Sequence, residues 1–500
     1  GEGPLLAEFC RRVRALDPDI LTGWNVIDFD LQMLLRAASR AGNMTLHLGR
    51  GPGALRVEAS RGFRGAARAS VPGRLVLDGL QLLRGSFIPM EEQSLDFVAR
   101  AVLGEGKLIS GKDRGAAIMD LYERDLPAFC AYNLRDAQLV PRIFDKLRLL
   151  DLTIARARLS GMPLDRVSAA VASVDFLYLS ALARRGVVAP SHRDDEPAAP
   201  TAGGHVLDPR PGLHHSVVVF DFKSLYPSVI RTFDIDPLGH ALAQSRAAGA
   251  EKEDSQIMRA PNGAAFLRQR GVLTEILDAL AAARAAAKAV HDDVQSHAIK
   301  ILMNSFYGAL GTTACRFYDA ALANSITSFG KEILLWTKAQ VEREGFAVLY
   351  GDTDSLFVRL RPEGAPAFSD HASAQAEAQH LCDRLNHALS EHLRKKYAVE
   401  SRLELEIDRV FLKLLLPHLR GGGAGARKRY AGLALGDAGE ELVFVGLEAV
   451  RRDWTPLAQT VQRQLYERVF RDQPIEDYLR AEVAALRAGA RDALLAYRRP

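Results

Sequence analysis

The chain is poor in cysteine, in net charge and in long apolar runs. Its 500 residues include only four cysteines, Cys10, Cys130, Cys315 and Cys382, without paired spacing. This argues against a disulfide framework or a cysteine-based zinc site and favours a reducing compartment. No apolar run approaches the roughly 18 residues of a membrane helix, so no membrane span is expected. The formal net charge is only +4, so a nucleic-acid surface would have to be a local basic patch.

The length predicts several domains, because 500 residues exceed what one compact core holds. Residues 1 to about 150 show a mixture of strand and helix patterns. Proline and glycine cluster between Pro190 and Gly212, which predicts a linker. The chain begins Gly1-Glu2-Gly3-Pro4 without Met, so we expect a processed or partial chain.

A hairpin with two carboxylates at its tip is the most informative stretch. Branched and aromatic residues on both sides of Asp352-Thr353-Asp354 predict two strands, and the polar centre predicts a turn. Two carboxylates this close resist joint ionisation unless a cation neutralises them, and Mg²⁺ prefers such oxygens. A solvated turn is the plain alternative for these three residues alone.

A second carboxylate follows an unbroken apolar strand. Residues 217–220, Val-Val-Val-Phe, are typical of a strand buried on both faces, and Asp221 comes directly after them. Pro227 suits the first turn of a helix, so Asp221 should lie at the end of a strand that leads into a helix. The alternative is a surface aspartate that only closes the strand.

Two long helices are predicted between Gly271 and Gly311. The first carries two basic residues four apart, and the second carries a basic, an amide and an aromatic residue on one face beside an apolar stripe. Such a face can grip a phosphate and stack a base, although a solvated cationic face is the alternative. The residues concerned are Arg284 and Lys288 in the first helix and Lys300, Asn304 and Tyr307 in the second.

Shorter signals lie near both ends of the chain. Tyr132 and Asp136 are four apart and open a predicted helix, and Asp30 lies near the start of another helix, where it could be a plain cap. Residues 403–407 alternate as an edge or half-buried strand. The basic residues Lys428 and Arg429 precede Tyr430 and suit contacts with a phosphate backbone.

In order and type, these motifs resemble those of the family B DNA polymerases. The resemblance rests on Asp221–Ser228, on Lys300–Gly308, on Tyr350–Ser355 and on Lys428–Leu433. Trp454–Ala458 points to a bacterial branch of the family. Upstream, Asn25–Asp30, Tyr132 and Asp136 are similar to the second and third motifs of the family's 3′→5′ exonuclease.

The resemblance implies an α/β multidomain fold, with a partial RNase H-like exonuclease domain followed by a right-hand polymerase. The palm would be an antiparallel sheet, and the fingers and the partial thumb would be helical. The implied boundaries are 1–150 for the exonuclease, 151–212 for a helical connection and linker, 213–245 and 313–446 for the palm, 246–312 for the fingers, and 447–500 for the thumb.

The resemblance also implies a reaction and a set of residue roles. Template-directed addition of dNTPs to a primer would use two Mg²⁺ ions, with Mn²⁺ as a substitute. Asp221 and Asp354 would hold the metals with the main-chain carbonyl of Phe222, and Asp352 would be a secondary catalytic carboxylate. The nucleotide would contact Ser224, Leu225, Tyr226, Arg284, Lys288, Lys300, Asn304 and Tyr307. Among these, Tyr226 would be the steric gate. The DNA would contact Lys428, Arg429 and Tyr430.

For editing, the resemblance assigns Asp30, Tyr132 and Asp136 to the exonuclease. The first motif of that exonuclease, with an Asp and a Glu, has no match and would precede Gly1, so we expect incomplete editing in this chain and a complete site in the full-length protein.

The resemblance also implies partners and a cellular role. The partners would be primer-template DNA, dNTP and a sliding clamp. The protein would be a monomer in the bacterial cytoplasm, near the nucleoid, and would act in repair or lesion bypass. The alternatives are a DNA-binding remnant without catalysis and a replicative polymerase of the same family.

Overall fold

The structure is a computed structural model that divides into two compact units. It describes residues 1–58, 67–109, 114–192, 200, 203–247, 255–362, 364–365, 368, 371–419, 425–436, 439–451 and 453–496. Unit 1 comprises Gly1–Asp194 and Ile276–Arg316, and unit 2 comprises Asp195–Glu275 and Phe317–Pro500. Residues 193–199 and 201–202 of the expected linker lie outside the described residues. No helix among those described is both long and apolar enough to span a bilayer.

Unit 1 is mainly helical. A parallel pair, β1 and β4, aligns Ile20 with Leu75 and Gly23 with Asp78, and a second pair, β2 and β3, is antiparallel. Its elements are α1 (Glu2–Leu16), β1 (Ile20–Gly23), a π-helical turn (Val26–Asp30), α2 (Leu31–Arg40), β2 (Arg56–Glu58), β3 (Arg68–Ser70), β4 (Leu75–Asp78), α3 (Gly79–Ser86), α4 (Leu95–Leu103), α5 (Arg114–Arg124), α6 (Leu126–Leu147), α7 (Leu149–Ser160), α8 (Ala170–Arg184), the greater part of α11 (Val272–Ala289) and α12 (Asp293–Leu310).

Two sequence expectations in unit 1 need correction. The helix that carries Tyr132 and Asp136 begins at Leu126, not at Tyr132, because Asp125 caps it by accepting a hydrogen bond from the Ala128 amide at 3.0 Å. The expected helical connection is not continuous either. It breaks after Ser160, where Gly161 takes a left-handed φ of 69°. The two long helices predicted between Gly271 and Gly311 are confirmed as α11 and α12.

Unit 2 is built on one antiparallel sheet of six strands. Their order is β12-β11-β10-β5-β9-β8, and a separate small sheet pairs β6 with β7. Its elements are β5 (Gly212–Phe222), α9 (Leu225–Phe233), α10 (Pro237–Ala247), β6 (Ile257–Arg259), β7 (Ala265–Leu267), the first turn of α11, α13 (Ala320–Arg343), β8 (Ala347–Asp352), β9 (Ser355–Arg359), α14 (His371–Tyr397), β10 (Leu405–Leu416), β11 (Tyr430–Gly436), β12 (Gly439–Val445), α15 (Pro456–Phe470) and α16 (Glu476–Arg487).

The apolar run of β5 explains its central place in this sheet. Val217, Val218 and Phe220 are fully buried, and β5 pairs with β10 on one side and β9 on the other. The part of the strand that is covered on both faces, residues 217–220, is continuously apolar, as the sequence predicts. Of the two alternatives for residues 403–407, the half-buried one is confirmed, because Leu403 and Leu405 are buried while Glu404 and Glu406 are exposed. The edge position is excluded, because β10 lies between β5 and β11.

The β8–β9 hairpin is confirmed, and its turn is tightly packed. Only two residues separate Asp352 from its partner Ser355, and Thr353 takes an unusual left-handed φ of 60°. The Thr353 amide donates to the His205 carbonyl at 2.9 Å. A Cβ atom on Gly204 would lie 2.4 Å from Thr353 Oγ1, so only glycine fits against the turn at this position.

A buried histidine fixes the start of α13. His240 Nδ1 donates to the Ala265 carbonyl at 2.7 Å, and Nε2 lies 3.5 Å from the carboxylate of Asp319, the N-cap of α13. Burial alone would lower the pKa of His240, but the contacts with Asp319 and Ala265 outweigh it and raise the pKa. The hydrogen bond with His240 is the main reason that the pKa of Asp319 is lowered. The pair therefore favours the charged forms of both groups.

We expect this pair to stabilise the fold only over a limited pH range. Because the pKa of His240 is raised, its contribution is complete below its ordinary value of 6.5 and is lost as the pH rises through the folded-state pKa. Asp319→Asn keeps a capping oxygen but removes the charge. It should lower the free energy of unfolding by about 1 kcal/mol near pH 6 and by much less near pH 9, as measured by urea unfolding. A difference that does not depend on pH would contradict the pairing.

A second stability prediction concerns the contact on Thr353. Gly204→Ala should lower the free energy of unfolding by about 1–3 kcal/mol, because its methyl group would overlap the Thr353 side chain. Gly203→Ala is the matched control, since nothing lies within 4 Å of its added Cβ atom. Equal urea midpoints for the two variants would show that the turn is not packed in this way.

Candidate active site

The segments that carry the three predicted carboxylates meet at one end of the six-stranded sheet. Asp221 of β5 is in register with Ser355 of β9, and Ser355 is also in register with Asp352 of β8. Side chains of residues in register project from the same face of a sheet. The Phe222 amide donates to the Asp354 carbonyl at 2.9 Å, which places the ends of β5 and of the hairpin side by side.

The carboxylate of Asp352 has several polar neighbours. The Tyr350 hydroxyl donates to Asp352 Oδ2 at 3.3 Å, and the Thr353 hydroxyl lies 3.1 Å from Oδ1. Lys428 Nζ lies 3.2 Å from Oδ1, and the Lys428 amide donates to the Tyr350 hydroxyl at 2.9 Å. These contacts connect the basic loop to the hairpin and compensate one of the negative charges.

Asp354 lies in a different environment. Its pKa is raised, first because it is half-buried and then because Asp352 is nearby, whereas Lys428 acts in the opposite direction. A bound cation would reverse this shift, since it favours the ionised carboxylate. The charge at the hairpin tip is therefore unfavourable in the protein alone.

A divalent cation fits the donors at this site. Carboxylate and main-chain carbonyl oxygens are hard ligands of the type that Mg²⁺ and Mn²⁺ prefer. Within the described ranges, no three His, Cys, Asp or Glu side chains are arranged as ligands of one metal ion. Asp352 is engaged by Lys428 and Tyr350, and Asp221 and Asp354 lie where the ends of β5 and of the hairpin meet.

The residues after Asp221 lead directly into α9. Ser224 takes a left-handed φ of 48°, Leu225 is buried, and Tyr226 is half-buried. A Cβ atom on Gly330 of α13 would lie 3.4 Å from Leu225 and 3.7 Å from the Tyr226 ring. The Tyr226 ring thus lies close to the backbone of α13.

The other residues of the basic motif are partly engaged. Arg429 Nη1 lies 3.4 Å from Glu448, and Tyr430 packs edge-on against Phe357, with ring centroids 5.1 Å apart. The side chain of Lys428 is 66% exposed. Lys428 is therefore the more accessible of the two cationic side chains in this motif.

Unit 1 carries the predicted basic, amide and aromatic face. On α12, Lys300 and Asn304 are exposed, and Tyr307 is half-buried. Burial raises the pKa of the Tyr307 hydroxyl. The adjacent stripe of Ile299, Met303, Phe306 and Leu310 is buried, which confirms the two-faced helix predicted from the sequence. On α11, Lys288 is exposed, whereas Arg284 is half-buried and its Nε lacks a hydrogen-bond partner among the described residues.

The exonuclease candidates cluster elsewhere in unit 1, around a lysine that the sequence analysis missed. Lys107 forms an ion pair with Asp136 and lies 5.9 Å from the centre of the Tyr132 ring. The Asp136 Oδ1 atom is buried without a hydrogen-bond partner in the described part of the chain. The pKa of Asp30 is raised by partial burial and then by Asp78, while Lys107 opposes the shift. An unpartnered carboxylate oxygen beside a second acidic residue also suits a cation.

Weak signals in the sequence could have pointed to Lys107 and Asp78. Lys107 follows Gly104-Glu105-Gly106 in a short loop, but no periodic pattern marks it. The loop is fixed by the Lys107 amide, which donates to Asp96 at 2.7 Å. Asp78 directly follows the apolar residues of β4, the same arrangement that singled out Asp221.

Two models of known protein families match the chain. A sequence model described as "DNA polymerase family B" matches residues 167–495, and one described as "DNA polymerase family B, exonuclease domain" matches residues 2–98. Tyr132 and Asp136 lie outside the latter span.

Relatives match nearly the whole chain. DNA polymerase II of Escherichia coli is 42% identical over 97% of this chain and 60% of its own length. The DNA polymerase delta catalytic subunit of Schizosaccharomyces pombe is 28% identical over 95% of the chain and 45% of its own length. A DNA polymerase of Archaeoglobus fulgidus is 27% identical over 96% of the chain and 56% of its own length. The chain thus spans about half to three fifths of these relatives.

The family model covers more than half of the chain, including the strand, the hairpin and the basic loop that form the carboxylate cluster. An exonuclease domain of the same family precedes it. The chain belongs to the family B DNA polymerases.

Proposed function

We propose that this chain carries out template-directed DNA synthesis, adding deoxynucleotides to the 3′ end of a primer. The observation that supports it most is the meeting of β5 with the β8–β9 hairpin, where the Phe222 amide bonds to the Asp354 carbonyl. Sequence positions 221 and 354 are thereby brought together at one end of a sheet. Such an end is where catalytic carboxylates can be aimed at one substrate.

The proposed reaction is a nucleotidyl transfer. The primer 3′ oxygen forms a bond with the α-phosphorus of the dNTP, the bond from that phosphorus to the bridging oxygen breaks, and pyrophosphate leaves. The hydroxyl proton passes to solvent or to a nearby base. Because little covalent chemistry falls to the protein, the residues act by positioning and by compensating charge.

Family B polymerases and exonuclease domains use divalent metal ions. We propose two Mg²⁺ ions here, with Mn²⁺ as a substitute, held by the carboxylates of Asp221 and Asp354 and by the Phe222 carbonyl. When bound, such ions stabilise the negative charge on the attacking and leaving oxygens. Asp352 would act as a secondary carboxylate, since Lys428 and Tyr350 already engage it.

The nucleotide would be held mainly by cationic, amide and aromatic side chains. Arg284, Lys288 and Lys300 would contact the triphosphate, with Asn304 as a further donor and Tyr307 against the new base pair. Ser224 and Leu225 would line the triphosphate side of the α9 turn. Tyr226 would fill the space that a ribose 2′-hydroxyl needs, a role that suits its half-buried ring.

The basic motif would contact the primer-template DNA. Lys428 is well exposed, and exposed ion pairs contribute little free energy, so it can exchange Asp352 for a phosphate at small cost. Arg429 and Tyr430 would add further contacts, although Tyr430 also supports the sheet through Phe357.

The cluster around Lys107 would belong to 3′→5′ editing. Asp30 and Asp136 would hold divalent ions, and Tyr132 would orient the attacking water. In the full-length protein we propose proofreading beside synthesis, with a role in DNA repair or lesion bypass, in keeping with the similarity to a bacterial DNA polymerase II. We also propose that the protein is a monomer, that it acts in the cytoplasm near the nucleoid, and that it binds a sliding clamp.

Primer extension tests the proposed synthesis. The chain should extend a primed template with dNTPs in Mg²⁺ and not in EDTA. Asp354→Asn should lower kcat by at least about a hundredfold, because it removes a carboxylate proposed to hold the divalent ions that stabilise the negatively charged transition state. DNA binding, measured by fluorescence anisotropy, should stay nearly unchanged.

Two further variants serve as comparisons in this assay. Asp352→Asn should lower the kcat of primer extension less than Asp354→Asn does. Asp472→Asn, which alters an exposed carboxylate paired with Lys413, should leave extension unchanged. Full activity of Asp354→Asn would refute the catalytic role, and DNA binding without any extension by the unmodified chain would favour a non-catalytic binding protein.

Sugar selection gives a separate prediction. Tyr226→Val should raise the relative use of rNTPs roughly tenfold or more, because the smaller side chain leaves room for the 2′-hydroxyl. Tyr226→Phe keeps the ring and should keep the selection. The ratio of kcat/KM for dNTP and rNTP measures both variants, and an unchanged ratio in Tyr226→Val would rule out the steric role.

A further inference from the structure

The C-terminal end of α3 in unit 1 is a joint between three helices. The last carbonyls of a helix lack partners within that helix and need donors from elsewhere. Arg156 of α7 donates from Nη1 to the Gly85 carbonyl at 2.7 Å. His297 of α12 contacts the Ser86 carbonyl through Nε2, also at 2.7 Å. Because a carbonyl oxygen only accepts, Nε2 carries the proton in this contact.

The other end of α3 is fixed by a single buried carboxylate. Asp78, which is 3% exposed, accepts hydrogen bonds from the Leu80 amide at 2.9 Å and from the Gln81 amide at 3.2 Å through Oδ1. Its second oxygen accepts from the Ile27 amide at 3.0 Å. Ile27 belongs to the π-helical turn that ends at Asp30. The cap of α3 therefore also holds the turn that carries a candidate editing carboxylate.

The helix α3 thus has a different site at each end. It contains eight residues, which corresponds to a rigid rod about 12 Å long. One end contacts α12 at His297, one turn before Lys300 on the face proposed to bind the nucleotide. The other end contacts the turn of Asp30.

The contact at His297 is directional, unlike the apolar packing around it. Ala298 and Ile301 of α12 pack against Leu152 of α7, and such contacts tolerate small sliding movements. The hydrogen bond does not, because Ser86 is fully buried and its carbonyl would lose a partner if α12 moved away. A displacement of α12 therefore has to move α3 or break this bond.

We propose that His297 is a positioning residue that couples nucleotide binding on α12 to the candidate editing site through α3. This inference rests on the proposed function. Nucleotide bound at Lys300 and Asn304 limits the movement of α12, and the contact with Ser86 then limits the movement of α3. Because Asp78 bonds both α3 and the turn of Asp30, the movement of that turn is limited as well. Coupling of this kind is reciprocal, so the state of the editing turn also affects nucleotide affinity.

Hydrogen exchange of the whole chain measures the coupling directly. The chain would be bound to a primer-template whose primer ends in a dideoxynucleotide, with and without the next correct dNTP. Correct dNTP should slow amide exchange at least about threefold in peptides covering residues 26–30 and 79–86, as well as in α12. His297→Leu should keep the slowing in α12 and lose it in the other two segments.

Two matched variants separate coupling from simple structural support. His297→Gln supplies an amide donor for the Ser86 carbonyl and should restore the response. His47 is a histidine in the same unit whose Nδ1 bonds to the Gly53 carbonyl at 3.0 Å, away from α3 and α12. His47→Leu should behave like the unmodified chain. In extension assays with an ordinary primer, His297→Leu should raise the KM for dNTP about fivefold with little change in kcat or in DNA affinity.

The outcomes distinguish this inference from the proposed function. If the unmodified chain extends primers and dNTP slows exchange in α12 but not in residues 26–30 and 79–86, the coupling is wrong while the proposed function stands. The coupling is also wrong if His297→Leu responds like the unmodified chain. If the unmodified chain neither extends primers nor responds to dNTP in α12, the proposed function fails and the coupling fails with it.

Discussion

The pairing of β5 with β9 is the constraint on which the candidate active site depends. It aligns Asp221 with Ser355 and brings the Phe222 amide to the Asp354 carbonyl, so two carboxylates 133 positions apart in sequence become neighbours. A shift of one residue in this register would turn Asp221 to the other face of the sheet. The register of this pairing, which runs from Val217 opposite Arg359 to Asp221 opposite Ser355, therefore decides which face of the sheet carries the Asp221 carboxylate. The chemistry of the site follows from that register.

The turn of the hairpin adds a second constraint. Thr353 is a β-branched residue in a left-handed conformation, which is costly and persists only when its surroundings hold it. Those surroundings are the His205 carbonyl and the backbone of Gly204, from the segment that precedes β5. Gly204 and His205 therefore pack directly against the carboxylate-bearing turn, so a change at either residue can alter the site without touching a carboxylate.

Local sequence patterns predicted the elements that carry the site. The features that these patterns did not predict are fixed by contacts between residues distant in sequence. The valine run, the Asp-Thr-Asp turn and the two-faced helix from Lys300 to Tyr307 have strong periodic or turn signals, and each forms as predicted. The interior position of β10 depends on its pairing with β5, a strand more than 180 residues earlier in the chain, which periodicity cannot report. Lys107 lies in a short loop without a pattern, and its role is visible only once α6 brings Tyr132 and Asp136 beside it.

The two acidic clusters share one electrostatic arrangement but differ in how easily it can change. In each, a lysine pairs with one carboxylate, Lys428 with Asp352 and Lys107 with Asp136, while a neighbouring aspartate has a raised pKa. An internal ammonium group lets such a cluster fold before any metal ion binds, since it offsets part of the repulsion. Lys428 is 66% exposed and can leave for a phosphate, whereas Lys107 is 15% exposed and lies over the Tyr132 ring. The first lysine is therefore suited to exchange partners during the proposed synthesis, and the second is suited to remain within the candidate editing site as a fixed charge.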